Sequence, residues 1–120
     1  MTSLSGKRVL IVDDEPFIRY TVADELEHAG WLVVEAADGA EAIDVLETGD
    51  AIDLMVTDIR MPGFDGWTLA ERARELRPGL PILYVSGFSG VDPRPVPGGE
   101  FLPKPFLPAQ LRAAAAKLVR

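Results

Sequence analysis

The 120-residue chain has no cysteine, one histidine (His28) and only three lysines, Lys7, Lys104 and Lys117. Without cysteine there is no disulfide framework, zinc-thiolate site or thiol nucleophile. One histidine leaves none to pair with it in a metal or relay site. With 19 acids against 12 bases, a formal net charge of −7 and so few lysines, no basic patch is in sight, and direct nucleic-acid binding is not expected. Long apolar runs are missing too. No stretch approaches the length that spans a bilayer, and Met1 to Lys7 lacks a signal peptide's apolar core. A cytoplasmic protein without a membrane segment is expected. Met1 and the short leader suggest a complete product.

What is present is enough for a real core: 48% of residues are hydrophobic, too many for a disordered chain. Length predicts one domain, with its core from about residue 7 to 120 and no residues left for an output domain. Short apolar runs alternate with helix-period segments, the pattern of a parallel sheet with crossover helices. Strands are predicted at 8–13, 31–36, 53–58, 81–86 and 101–102. Helices are predicted from Pro16 to a stop at Gly30, from Asp38-Gly39 to Gly49, from Gly66 to Leu76, and from Pro108 onward through Leu118.

One unit is irregular. Six of the ten prolines lie between Asp92 and Pro108. Between the fourth and fifth strands, residues 87–99 hold seven Pro or Gly. Pro93, Pro95 and Pro97 cannot share a helix interior, so a loop or single irregular turn is expected where a fourth crossover helix belongs.

Ligands of open parallel α/β sheets bind beyond the carboxyl ends of the strands. The first strand ends in Asp13-Asp14, the third in Asp58 and the fourth in Ser86, and Lys104 follows the fifth. Clustered carboxylates repel one another and either take up a proton or bind a cation. Hard oxygen donors with open positions suit Mg²⁺, which also favours phosphate oxygens. A lysine ammonium neutralises an arriving anion and a serine hydroxyl donates to it. An aspartate between them is placed to attack phosphorus. The set reads as an aspartyl-phosphate acceptor.

Asp13-Asp14-Glu15-Pro16, Asp58-Ile-Arg-Met-Pro-Gly-Phe-Asp65-Gly66, Ser86-Gly87 and Lys104-Pro105-Phe106 together resemble the receiver domain of two-component response regulators, the CheY-like family, over essentially the whole chain. The resemblance implies a doubly wound five-stranded parallel sheet, flavodoxin-like, of order 2-1-3-4-5. It implies Asp58 as phosphoacceptor and Mg²⁺ (or Mn²⁺) as cofactor. Asp14 would be a direct metal ligand, Asp13 would act largely through water, and Asp58 and the backbone carbonyl of Arg60 would complete the protein's share. Ser86 and Lys104 would contact the phosphoryl group. Phe101 matches the aromatic that changes rotamer with the hydroxyl residue, and Lys104-Pro105 is predicted cis. The implied partners are a histidine kinase or histidine phosphotransfer protein and an unknown downstream protein. The chain would be a monomer or weak dimer and a signalling module rather than an enzyme with an external substrate.

Tyr84-Val-Ser-Gly-Phe88 and the lost helix resemble a subset: single-domain receivers and the terminal receivers of hybrid histidine kinases. Arg60 and Phe88, each two positions past a site residue, are candidate modulators of phosphoryl lifetime. Several residues also have plainer readings. Asp13 and Asp14 could cap the first helix, Asp53 could order the turn into the third strand, Asp65 could start a helix, and His28 could be solvated near a helix end. A haloacid dehalogenase-like aspartyl phosphatase is the main alternative, but it requires a second acid where Arg60 stands. A pseudo-receiver independent of phosphorylation is disfavoured by the full set of key side chains. A flavin module lacks its phosphate loop after the first strand.

Overall fold

The computed structural model describes residues 6–87 and 93–119. Five parallel strands, β1 (Arg8–Val12), β2 (Leu32–Ala36), β3 (Leu54–Thr57), β4 (Ile82–Ser86) and β5 (Glu100–Pro103), form one sheet of order β2-β1-β3-β4-β5. The helices among the described residues are α1 (Pro16–His28), α2 (Gly39–Glu47), α3 (Gly66–Leu76) and α4 (Pro108–Leu118). The predicted flavodoxin-like order is the one observed.

β3 and β4 are buried along their whole length and β1 almost so, because helices cover both faces of the sheet. Side chains alternate between two cores, as strand periodicity demands. Leu10, Val12, Met55, Ile82 and Tyr84 face Ala42 and Leu46 of α2 and Leu69, Ala70 and Ala73 of α3. Val9, Ile11, Leu54, Val56, Leu83 and Val85 face Val22, Ala23 and Leu26 of α1 and Leu111 and Ala115 of α4.

The helix starts follow local chemistry. Pro16 and Pro108 sit in first turns, where a missing N–H costs nothing. The Asp38 and Asp65 side chains accept from the Glu41 and Thr68 amides at 2.9 Å. Asp65 is thus the helix-starter the sequence predicts. Asp53 Oδ2 accepts from the Arg8 amide at 2.8 Å and ties the start of β1 to the turn before β3, also as expected. Exposed His28 donates from Nδ1 to the Asp24 carbonyl, 2.8 Å away. That bond, with the Asp24 carboxylate behind it, pushes its pKa above the usual 6.5.

Residues 93–96 have no regular structure and a turn follows at 97–98, in keeping with a lost helix. The segment is nevertheless anchored. Val96 is buried in the α2–α3 core, and its amide donates to the Tyr84 hydroxyl at 3.0 Å. The Tyr84 ring packs on Trp67 with centroids 4.6 Å apart. Gly99 passes so close that a Cβ there would lie 3.0 Å from Tyr84 Cε2. Arg94 reaches Asp65 at 3.4 Å and Glu71 at 3.8 Å on α3.

Candidate functional site

The sheet ladder itself sets the spacing of the site. Just past the strand ends, the Asp58 amide donates to the Val12 carbonyl at 3.0 Å, the Asp13 amide to Ala36 at 3.2 Å, and the Lys104 amide to Ser86 at 3.0 Å. These bonds join the ends of β3 to β1, β1 to β2 and β5 to β4 along one rim. One carboxylate oxygen from each of Asp13, Asp14 and Asp58 lies within 4.8 Å of the others. Lys104 Nζ stands 3.6 Å from Asp13 Oδ2 and 3.9 Å from Asp58 Oδ2. Asp58, Arg60, Ser86, Gly87 and Lys104 line one cleft of about 290 Å³. The Lys104-Pro105 peptide bond is cis.

The three acids are not equivalent. Asp13 is 2% exposed. Its Oδ1 accepts from the Glu15 amide at 2.9 Å, so it does help start α1. Glu15, the residue at the N-cap position, makes no capping bond with its own side chain. Asp13 Oδ2 is buried and accepts no hydrogen bond. Burial pushes the Asp13 carboxyl above the usual carboxylate range. The Glu15 amide and Lys104 pull against that, and the charges of Asp58 and Asp14 add to it. Asp58, 9% exposed, accepts from the Ile59 amide at Oδ1, 2.7 Å away. That leaves Oδ2 toward the cleft and Lys104. Asp14 is exposed.

A divalent cation fits this donor set. An orphaned, buried carboxylate oxygen faces two further carboxylates, and all the donors are hard oxygens of the kind Mg²⁺ or Mn²⁺ takes. A charge held in the fold against its preference also has a stability consequence. Asp13→Asn keeps the bond from the Glu15 amide and removes the buried charge. It is expected to stabilise the metal-free protein by about 0.5–2 kcal/mol. In thermal melts, Mg²⁺ should then raise the Tm of wild type by more than that of the variant. A lower Tm for the variant in chelator would contradict this account.

Other predicted residues are placed less centrally. Phe101 lies on the edge strand β5 with 46% of its surface exposed, and Phe88 lies outside the described residues. Sequence reasoning missed Arg19, whose Nη1 donates to the Asp13 carbonyl at 2.7 Å. An arginine one turn into α1, beside an acid pair, is the only sequence signal for it.

Comparison with known proteins agrees with this geometry. Residues 9–116 match the family model described as response regulator receiver domain. A response regulator receiver protein from Sinorhizobium medicae WSM419 is 41% identical with a TM-score of 0.90, over 98% of this chain and 97% of that one. Response regulator protein TrrA from Thermotoga maritima, solved in complex with Mg(2+)-BeF, is 32% identical with a TM-score of 0.84, over 93% of this chain and 98% of that one. The sensor kinase CckA of Brucella abortus is 36% identical over 98% of this chain. The chain spans 13% of that kinase and about half (48%) of some transcriptional regulatory proteins it matches. On a sheet of order 2-1-3-4-5 with its acids and lysine gathered at the carboxyl rim, the chain belongs to the response regulator receiver domain family of two-component signalling.

Proposed function

We propose that Asp58 accepts a phosphoryl group from a phosphohistidine on a histidine kinase or histidine phosphotransfer protein, and that the phosphorylated domain switches its binding to a further protein. The observation that carries this reading is Asp58 Oδ2, directed into an open cleft with Lys104 Nζ 3.9 Å away and two more carboxylates beside it. An Asp58 oxygen forms the new bond to phosphorus as the bond from phosphorus to the imidazole nitrogen breaks, and the nitrogen keeps the electron pair. Lys104 pairs with the charge on the phosphoryl oxygens, and the Ser86 hydroxyl donates to one of them.

Asp13, Asp14, Asp58 and the Arg60 carbonyl are the groups that would hold Mg²⁺ or Mn²⁺. When bound, the cation offsets the negative charge of carboxylates and phosphoryl oxygens together. TrrA, solved with Mg(2+)-BeF, supports that assignment. Ser86, Phe101 and the Lys104-Pro105 turn form the proposed switch, and Arg60 and Phe88 tune how long the phosphoryl group stays. The domain is a signalling module that catalyses its own phosphorylation and dephosphorylation and turns over no external substrate. It works in the cytoplasm as a monomer or weak dimer; no helix among the described residues is long and apolar enough to cross a membrane. Nothing in the site favours an aspartyl phosphatase, because Arg60 and not an acid stands two residues past Asp58.

Acetyl phosphate with Mg²⁺ tests the reading without a kinase. Intact mass is expected to rise by one phosphoryl group per chain, and chelation of the metal is expected to prevent it. Absence of that gain in protein shown to bind Mg²⁺ would sink the phosphoacceptor role.

A further inference from the structure

We propose that Arg19 is a positioning residue for the cation site, holding the Asp13 peptide so that only Asp13 Oδ2 is left to face the acid cluster. The inference rests on the metal-dependent phosphoacceptor reading and deepens it by naming what pre-sets the site. β1 ends at Val12, so the Asp13 carbonyl lies beyond the strand. Arg19 takes that place. Its Nη1 donates to the Asp13 carbonyl at 2.7 Å, while its Nε donates to Glu35 Oε1 on β2 at 3.1 Å. The side chain is 19% exposed and links α1, the β1 turn and β2.

Asp13 is thereby tied at three points. Its amide donates to Ala36, its carbonyl accepts from Arg19, and its Oδ1 accepts from the Glu15 amide. The fourth polar atom, Oδ2, is buried without a hydrogen bond, 3.6 Å from Lys104 Nζ. A ligand oxygen held this way loses little freedom when a cation arrives. The planar guanidinium is suited to this because its donors form a rigid fork that reaches two acceptors at once.

Charge alone predicts the opposite effect. A guanidinium bonded to the Asp13 peptide repels a divalent cation bound beside that residue, so removing it should tighten Mg²⁺ binding by Coulomb's law. Positioning predicts that removal weakens it. Partners that orient metal ligands typically contribute 10–100-fold in affinity, and a hold on the peptide rather than the carboxylate belongs at the lower end.

The test is a Mg²⁺ titration of the full chain by calorimetry, comparing wild type, Arg19→Gln and Arg19→Lys. Arg19→Gln is expected to raise the Mg²⁺ Kd about tenfold. Phosphorylation by acetyl phosphate should still reach the wild-type level once Mg²⁺ saturates, so the half-saturating Mg²⁺ concentration moves and the plateau does not. Arg19→Lys keeps the charge but cannot span both acceptors, so it too should bind Mg²⁺ more weakly than wild type. It serves as the deciding variant if Arg19→Gln fails to fold. Wild-type or tighter affinity in either folded variant overturns the proposal, as does a loss of thermal stability in chelator with Mg²⁺ affinity unchanged. Failure of the underlying reading looks different: wild type itself would then bind no Mg²⁺ or gain no phosphoryl group.

Discussion

Asp58→Asn is expected to abolish phosphoryl acceptance, lowering its rate by about a thousandfold or more. Three carboxylates meet at the rim, and geometry separates them. Asp13 is buried, has one oxygen committed to the Glu15 amide, and has the other enclosed beside Lys104. No donor as large as a phosphohistidine can approach it in line. Asp14 is exposed, and it is not among the residues lining the cleft with Lys104 and Ser86. Asp58 alone combines access with an ammonium 3.9 Å from its outward oxygen. An amide nitrogen there is no nucleophile, yet the amide oxygen still accepts from Ile59, so the fold should persist with an unchanged circular dichroism spectrum. Intact mass after acetyl phosphate and Mg²⁺ gives the readout. A wild-type mass gain in the variant would transfer the role to another acid.

Gly66→Ala is expected to cost about 1–3 kcal/mol of stability, a fall in Tm of roughly 4–12 °C. A Cβ at Gly66 would lie 2.1 Å from the Asp58 carbonyl oxygen and 2.9 Å from Ile59 Cα. Both are backbone atoms, so no rotamer change relieves the clash. The first turn of α3 presses on the peptide unit of the proposed acceptor itself. It is held there by the bond from the Gly66 amide to the Ile59 carbonyl at 2.7 Å. The methyl group should therefore disturb Asp58 as well as the fold and slow its modification. Gly39→Ala makes a useful contrast. Its Cβ would approach within 2.4 Å of Phe64 Cε2, but a partly buried ring can turn aside, so a smaller loss is expected. Equal losses in the two variants would argue that backbone contact at Gly66 is not the cause.

Both variants bear on positions visible in the sequence, and the reason is physical. β1, β3 and β4 are unbroken apolar runs because they are covered on both faces. Their ends therefore fall within a residue or two of the predicted ones: 53–58 against Leu54–Thr57, for example. Once strand ends are known, a parallel sheet forces Asp13, Asp58, Ser86 and Lys104 onto one rim. The second strand, predicted at 31–36, runs from Leu32 to Ala36, with buried Trp31 just ahead of it. Arg19 and Tyr84 were not legible in this way. Their decisive bonds, to Asp13 and Glu35 and to Val96, depend on how elements pack. No local periodicity encodes them. Arg94 likewise looks like any loop arginine until α3 places Asp65 and Glu71 beside it.

The strap at residues 93–99 has a consequence for how the domain's stability is distributed. A helix closes most of its hydrogen bonds within itself and can shift as a unit. Here the Val96 amide depends on a phenol from β4, and Arg94 depends on acids of α3. The strap therefore has no cooperative unit of its own. Among the described residues it is held to the rest of the domain by the Val96–Tyr84 hydrogen bond, the exposed polar contacts of Arg94 and the burial of Val96, contributions far smaller than global stability. Local opening of this edge, set by its contacts with β4 and α3, is therefore expected to precede the melting of the sheet.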